Sequence, residues 1–391
     1  MLENGTQGLA EKVRFSTIIG KTMSRYSSDA YRQLFPQGQR AGGRPPLPED
    51  NGDHYLAEPH FFEWWYFDVA FTDGSWLAAV LHSASYAMGD HRPTVDLHYY
   101  PPGCSPVVAM GRFSRRDYEA ARDRFQVRIG ESWATEENDV YRLHLCQGEL
   151  EAELAFHPQL PGWRVGSGHL FADSSSGKYF NWVVPVPIAR VKGTLRVHGK
   201  SRVVEGVGYH DHNWGNIYLR NAFRGWIWGR VWGGKYTLVF GDLAPQGDAP
   251  RVTPLFLGCD GRVWEVPDGF RLRQESAMRD ARTRKVELHR LFLDTNRKGS
   301  DVSLSLALLR PIETAQISAL RLWLVPWRRL AEPLYYLTQQ VPVFGQVLGA
   351  TLGTGSYQRW PARGVLRLAD EETEVQGLVE KMDLGSGRES S

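Results

Sequence analysis

Glu63-Trp-Trp-Tyr-Phe-Asp-Val-Ala-Phe71, Thr72-Asp-Gly-Ser75 and Trp76-Leu-Ala-Ala-Val-Leu-His82 follow one another without a break. Aromatic and branched residues on both sides of an Asp-Gly pair are a β-hairpin signature. Side chains alternate along an extended chain. Glu63 therefore shares a face with Trp65, Phe67, Val69 and Phe71, and Asp68 shares the other with Trp64 and Tyr66. Working outward, strands are expected over 94–100, 107–113, 125–129, 140–146 and 150–156, with turn residues between them. Two further hairpins are expected, 191–197 with 201–205 round His198-Gly199, and 226–232 with 235–241 round Gly233-Gly234. A second set of strands is read at 252–257, 263–266, 270–273, 284–293, 302–309 and 364–368. Regular short strands of this kind predict an all-β fold of barrels or sandwiches. The prolines at 185 and 187 suggest an edge or irregular strand. Helical turns are expected at 27–34 and 117–123.

The 391 residues exceed one ordinary domain, so two are expected. The division is an irregular N-terminal segment and linker over 1–51, one β domain over 52–222 and another over 223–391. A formal charge of +2, with no RNA-binding or zinc-finger pattern, predicts no nucleic-acid partner. Cys104, Cys146 and Cys259 are sparse and far apart, which fits a reducing compartment and gives no disulfide framework. The N-terminus lacks a basic start with an apolar run, and no apolar run reaches the ~18 residues that span a bilayer. A cytoplasmic location is therefore expected.

The densest chemistry lies in Gly206-Val-Gly-Tyr-His-Asp-His-Asn-Trp-Gly215. On an extended chain Tyr209, Asp211 and Asn213 point one way, and His210, His212 and Trp214 the other. A carboxyl beside a phenol, among aromatics, is a candidate proton donor. His210-x-His212 offers two imidazoles on one face, but no third ligand has zinc spacing, so no metal is expected. Downstream, Trp226, Trp228, Arg230 and Trp232 share a face. The segment 317–353 is apolar, aromatic and basic, with prolines at 326, 333 and 342. Two readings stay open for it: a cover packed on a barrel, or a peripheral membrane contact through its tryptophans, tyrosines and arginines.

Glu63-Trp-Trp-Tyr-Phe-Asp68, Trp182-Val-Val-Pro-Val-Pro-Ile-Ala-Arg190 and Gly206–Gly215 together resemble the carotenoid 1,2-hydratase (hydroxyneurosporene synthase), AttH-like lipocalin superfamily. Fungal cyclases of the decalin-forming Diels–Alderase type look similar. The likeness covers roughly residues 55–370. It implies two tandem lipocalin-like β-barrels with short helices and an apolar ligand in a barrel mouth or between the domains. It also implies that Tyr209 and Asp211 are catalytic, Asp211 as proton donor, and that Trp182 matches a functional tryptophan. The hydratases carry a histidine two residues before that tryptophan, where this chain has Phe180. Trp65, Tyr66, Trp226, Trp228, His210, His212 and Asn213 complete the expected substrate-binding set. No Rossmann, P-loop, nucleophile-elbow or zinc-protease pattern occurs, so the reaction is expected to need no cofactor. Two functions are weighed: an enzyme that hydrates, isomerises or cyclises a polyene, isoprenoid or polyketide-like molecule, and a lipocalin-like carrier without turnover.

Overall fold

The computed structural model describes residues 26–33, 44–85, 90–264, 269–276, 288–295, 302–317 and 355–384. The described chain is almost all strand, in two curled antiparallel sheets of the lipocalin-like kind. The first sheet takes β1 (Phe62–Phe71), β2 (Trp76–Ala84), β3 (Thr94–Tyr100), β4 (Val107–Arg112), β5 (Tyr118–Ala120) and β6 (Gln126–Ile129). It continues with β7 (Ser132–Glu137), β8 (Val140–Gln147), β9 (Leu150–Pro158), β10 (Trp163–Asp173), β11 (Lys178–Val197) and β12 (Lys200–Gly215). A single helical turn, α1 (Leu219–Ala222), leads into the second sheet. That sheet holds β13 (Phe223–Gly233), β14 (Tyr236–Pro245), β15 (Leu255–Cys259), β16 (Arg262–Trp264) and β17 (Arg271–Ser276). It ends with β18 (Leu288–Asp294), β19 (Val302–Leu308), β20 (Glu313–Ile317), β21 (Gly355–Leu368) and β22 (Glu371–Asp383).

The hairpin that opens the sequence reading is β1–β2, with Phe71 and Ser75 closing the turn and Gly74 at φ +84°, a conformation that suits glycine. β1 lies between β2 and β12, and β12 between β1 and β11. The alternation read from β1 decides where the cores lie. Trp65, Phe67, Val69 and Phe71 face the interior of the first curled sheet with Phe125, Phe156 and Val191. The second sheet has its own interior of Ile227, Val231, Phe240, Leu304 and Leu366. A third core lies between the sheets and takes Tyr66, Trp182 and Tyr209 from the first and Trp228, Val239 and Phe256 from the second. At about 1.5–3 kcal/mol for each large apolar side chain buried, this middle layer is a substantial bond between the two halves.

Pro185 and Pro187 mark an irregular strand, the second of the two alternatives read for them: they fall between the part of β11 paired with β10, which ends at Val184, and the part paired with β9, which begins at Ala189. The β11–β12 register slips between Val183 and Val186 and again between Val186 and Ala189, so the prolines fall at irregularities where no ladder donor is needed. The turn expected at 117–123 is a 3₁₀ turn, Arg115–Asp117, followed by β5. The helix expected at 27–34 is a 3₁₀ turn over Ser28–Tyr31. β21 is not the last strand: β22 runs between β21 and β13. The membrane and cover readings of 317–353 lie outside the described residues apart from Ile317. Among the described residues no helix is long and apolar enough to cross a membrane.

Candidate active site

Glycine shapes the strand that carries the site. A Cβ at Gly208 would lie 2.4 Å from the Phe156 ring, so its absence lets the interior of the first sheet close against β12. Beyond it the alternation holds. Tyr209, Asp211 and Asn213 turn to the layer between the sheets, and His210 and His212 turn inward.

Asp211 is buried and its carboxyl is fully hydrogen-bonded. The Tyr209 hydroxyl donates to Oδ2 at 2.8 Å and the Trp182 indole N–H donates to the same oxygen at 3.0 Å. Asn213 Nδ2 donates to Oδ1 at 2.9 Å. Three donors favour the carboxylate, but burial opposes it more strongly and raises the pKa to about 8. The group is thus mostly a neutral acid at pH 7. Of its three partners, only the Tyr209 hydroxyl can turn from donor to acceptor without flipping a side chain. That makes Tyr209 the natural relay. Burial, with the Asp211 charge next, keeps the Tyr209 phenol itself protonated.

Aromatic faces surround this acid. The Tyr209 ring is 5.1 Å from Trp228 and 6.2 Å from Tyr66, and Tyr66 meets Trp228 edge-on at 5.8 Å. Trp182 stands edge-on to Trp163 at 5.6 Å, and Trp163 lies against Phe256 of the second sheet at 5.4 Å. Trp226 is half-buried against the same layer. The buried Trp228 N–H makes no well-formed hydrogen bond. Its nearness to Tyr209 slightly favours the ionised phenol, against the larger effect of burial. Phe180 packs on Phe62 and Phe223, at 5.5 and 6.1 Å, so its position offers no imidazole.

A polar row that the sequence did not reveal lines the adjoining part of the layer. The Tyr66 hydroxyl donates to Glu380 at 3.1 Å, and Glu380 also accepts from Arg359 Nε at 2.7 Å. Arg359 reaches the Tyr100 hydroxyl at 2.6 Å and pairs with Glu313 at 3.0 Å, and Tyr100 donates to Glu313. Nearer the β1–β2 turn, Asp68 and Arg230 form a buried ion pair across the sheets, Nε to Oδ1 at 2.9 Å and to Oδ2 at 3.0 Å. Beyond that pair the layer opens into a cleft of about 960 Å³ walled by Trp76, Tyr100, Val207 and Trp232. Asp211 does not line it.

Trp65, His210 and His212 are placed away from Asp211, on the interior face of the first sheet. They pin the turn Pro48–Asn51 across that interior. Trp65 Nε1 donates to the Asn51 carbonyl at 3.1 Å. His210 Nδ1 lies 2.9 Å from the Tyr66 carbonyl and His212 Nδ1 3.0 Å from that of Asp50. Carbonyls only accept, so both rings carry the proton on Nδ1, leaving Nε2 to Asn51 and to Glu63 respectively. Burial lowers both imidazoles to about 3, so they are neutral. Both imidazoles are therefore engaged in holding the fold. Among the described residues no group of three or more His, Cys, Asp or Glu is arranged to hold a metal.

Glu63 takes the backbone N–H of His54 at 2.7 Å and the Ser83 hydroxyl, and burial, helped by the Asp53 charge, pushes its pKa well up. The acid proton then points at His212 Nε2, 3.2 Å away. A carboxyl raised on folding gives stability that is full below its unfolded value and is lost as pH rises through the folded one. Glu63→Gln is therefore expected to melt closer to wild type at pH 4–5 and to gain on it toward pH 8. The limiting slope is about 1.4 kcal/mol per pH unit. Melting temperatures across that range check it, and a constant offset would show Glu63 to be charged in the folded protein.

Fold and site thus define a double lipocalin-like β protein with a neutral carboxylic acid in an aromatic layer between its sheets. No family model matches the sequence. Over 227 residues, 48% of this chain and 58% of the relative, it is 26% identical to hydroxyneurosporene dehydrogenase of Chlorobaculum tepidum. A 61-residue stretch is 39% identical to the quinolone epoxide rearrangement protein penF of Penicillium thymicola, covering 16% of this chain and 17% of that one. The chain therefore spans less than two thirds of either curated relative. Among solved structures, CghA with Sch210972 has a TM-score of 0.63 at 12% identity, covering 91% of this chain and 98% of that one. A putative AttH of Nitrosomonas europaea has a TM-score of 0.58 at 15% identity, covering 88% and 98%. At these identities the structures establish the fold. Sequence and fold likenesses agree with the superfamily that the three motifs resemble.

Proposed function

We propose that this protein is an enzyme that passes a proton from Asp211 to an apolar, unsaturated small molecule held between the two sheets. One observation carries the reading: a buried carboxyl held by the Tyr209 hydroxyl and the Trp182 indole and set among aromatic rings, where burial pushes its pKa up to about 8. A neutral acid in such a place is a proton donor at neutral pH. General-acid help of this kind is worth about 10²–10⁴-fold. The rings of Trp182, Trp228 and Tyr66 would face a developing cation, each contributing about 0.5–2 kcal/mol. One relative is named for the rearrangement of a quinolone epoxide, which agrees with acid initiation, and the other as a dehydrogenase of hydroxyneurosporene, which bears on the substrate rather than on the proton step. Opening an epoxide or protonating an alkene are both acid-initiated. Phe180 supplies no base to activate water, which favours isomerisation or cyclisation over hydration.

The carrier without turnover is the second reading, favoured by the separation of the open cleft from Asp211. Incubation with a polyene-rich lipid extract of the source cells, in H₂O and in D₂O, distinguishes them. An isomerase or cyclase gives a product of unchanged mass, new retention and, in D₂O, one incorporated deuteron. A hydratase adds the mass of water. Ligand that is bound and released unchanged overturns the enzyme reading.

A further inference from the structure

We propose that the cleft at the β1–β2 turn end of the intersheet layer is a separate binding site for an amphipathic anion. Its apolar body would lie on the tryptophan wall, and its carboxylate or phosphate head would meet the arginine rim. The wall is Trp76 and Trp232, whose ring centroids are 6.1 Å apart, continued by Tyr100 and Ile312. The rim carries Arg190, Arg310 and Arg363, all exposed. Among the described residues none of these three guanidiniums has a hydrogen-bond or ion-pair partner. The one acid among the described lining residues, Glu205, is already held by Lys192 at 3.3 Å. The cleft thus presents unneutralised positive charge above an aromatic surface. A neutral lipid would leave that charge unused, and a cationic one would be repelled. At about 960 Å³ the space suits a ligand of some twenty or more heavy atoms, near the upper end of ordinary small-molecule sites.

The register keeps this cleft apart from the acid. On β1, Ala70 lines the cleft, Asp68 follows and Tyr66 stands opposite Asp211. On β13, Trp232 lines it, Arg230 follows and Trp228 meets Tyr209. The buried Asp68–Arg230 pair therefore stands between the two sites, with Arg230 also donating to the Val207 carbonyl at 3.3 Å. The proposal is thus independent of any reaction at Asp211.

The test uses cis-parinaric acid, a fluorescent polyene carboxylate, and its methyl ester as the uncharged twin, with dodecyl phosphate and dodecanoate as competitors. The acid should bind about tenfold tighter than the ester. Arg310→Gln with Arg363→Gln should remove that preference and leave the ester's affinity unchanged, whereas Trp76→Leu should weaken both probes. Displacement by dodecyl phosphate as effective as that by dodecanoate marks a general anion site; a clear preference for one head assigns the ligand's head group. Asp211→Asn should bind the acid as wild type does, so loss of turnover and loss of cleft binding are read separately. Equal affinity for acid and ester, an arginine double variant that binds like wild type, or binding of neither probe would each overturn the proposal.

Discussion

Asp211→Asn should reduce turnover by about 10²–10⁴-fold while leaving a folded protein, because it keeps the shape of the side chain and removes only the transferable proton. The amide oxygen can still accept from Tyr209 and Trp182, and Asn213 can flip to meet the amide N–H₂. The pH dependence is the sharper readout. With the folded pKa near 8, the wild-type rate should be level below that value and fall tenfold per unit above it. Tyr209→Phe should move that limb upward, because it removes a donor that favours the carboxylate. A merely structural Tyr209 would change the rate without moving the limb. The substitution should act on stability in the opposite sense to activity. Since folding raises the Asp211 pKa, its contribution is full below the unfolded value near 4 and is lost as pH rises through about 8. The Asn variant should therefore gain on wild type across that window while remaining inactive. A variant with near-wild-type turnover would end the proton-donor role.

What the sequence disclosed is what a period of two can disclose. Alternation put Glu63 and Asp68 on opposite faces of β1, and split Tyr209, Asp211 and Asn213 from His210 and His212, as the structure has them. It also put Trp228 and Arg230 on one face, which proves to be the face turned to the first sheet. Alternation assigns faces but not partners. Nothing local in Arg359 signals a contact with Tyr100, 259 residues away, or that Tyr66 would reach Glu380. β22 escaped because Glu371-Glu-Thr-Glu opens it with exposed acids, and its buried stretch begins only at Val375. β7 escaped for a similar reason: in Ser132–Glu137 only Ser132 and Ala134 are buried, too few apolar residues to register. The neutrality of His210 and His212 was equally hidden, since it depends on carbonyls of Tyr66 and Asp50 delivered from elsewhere in the chain.

The largest stability effect should come from Arg230. Its guanidinium and the Asp68 carboxylate are both about 1% exposed, and they join the two sheets. The guanidinium also lies 4.5 Å over the Trp232 ring and 5.6 Å from that of Tyr209. Removing one partner strands the other charge in an apolar layer, which costs about 3–5 kcal/mol. Arg230→Met should lose that much, and Asp68→Leu about as much, in chemical denaturation followed by tryptophan fluorescence. The paired variant should recover most of it, because well-packed apolar residues of similar volume often replace a buried ion pair with little loss. The sign of the coupling carries the test. If Asp68 and Arg230 act as a unit, the double variant is far more stable than the two single losses added together. If the losses simply add, each side chain is held by its own surroundings, and the ion pair is not what joins the sheets between Asp211 and the cleft.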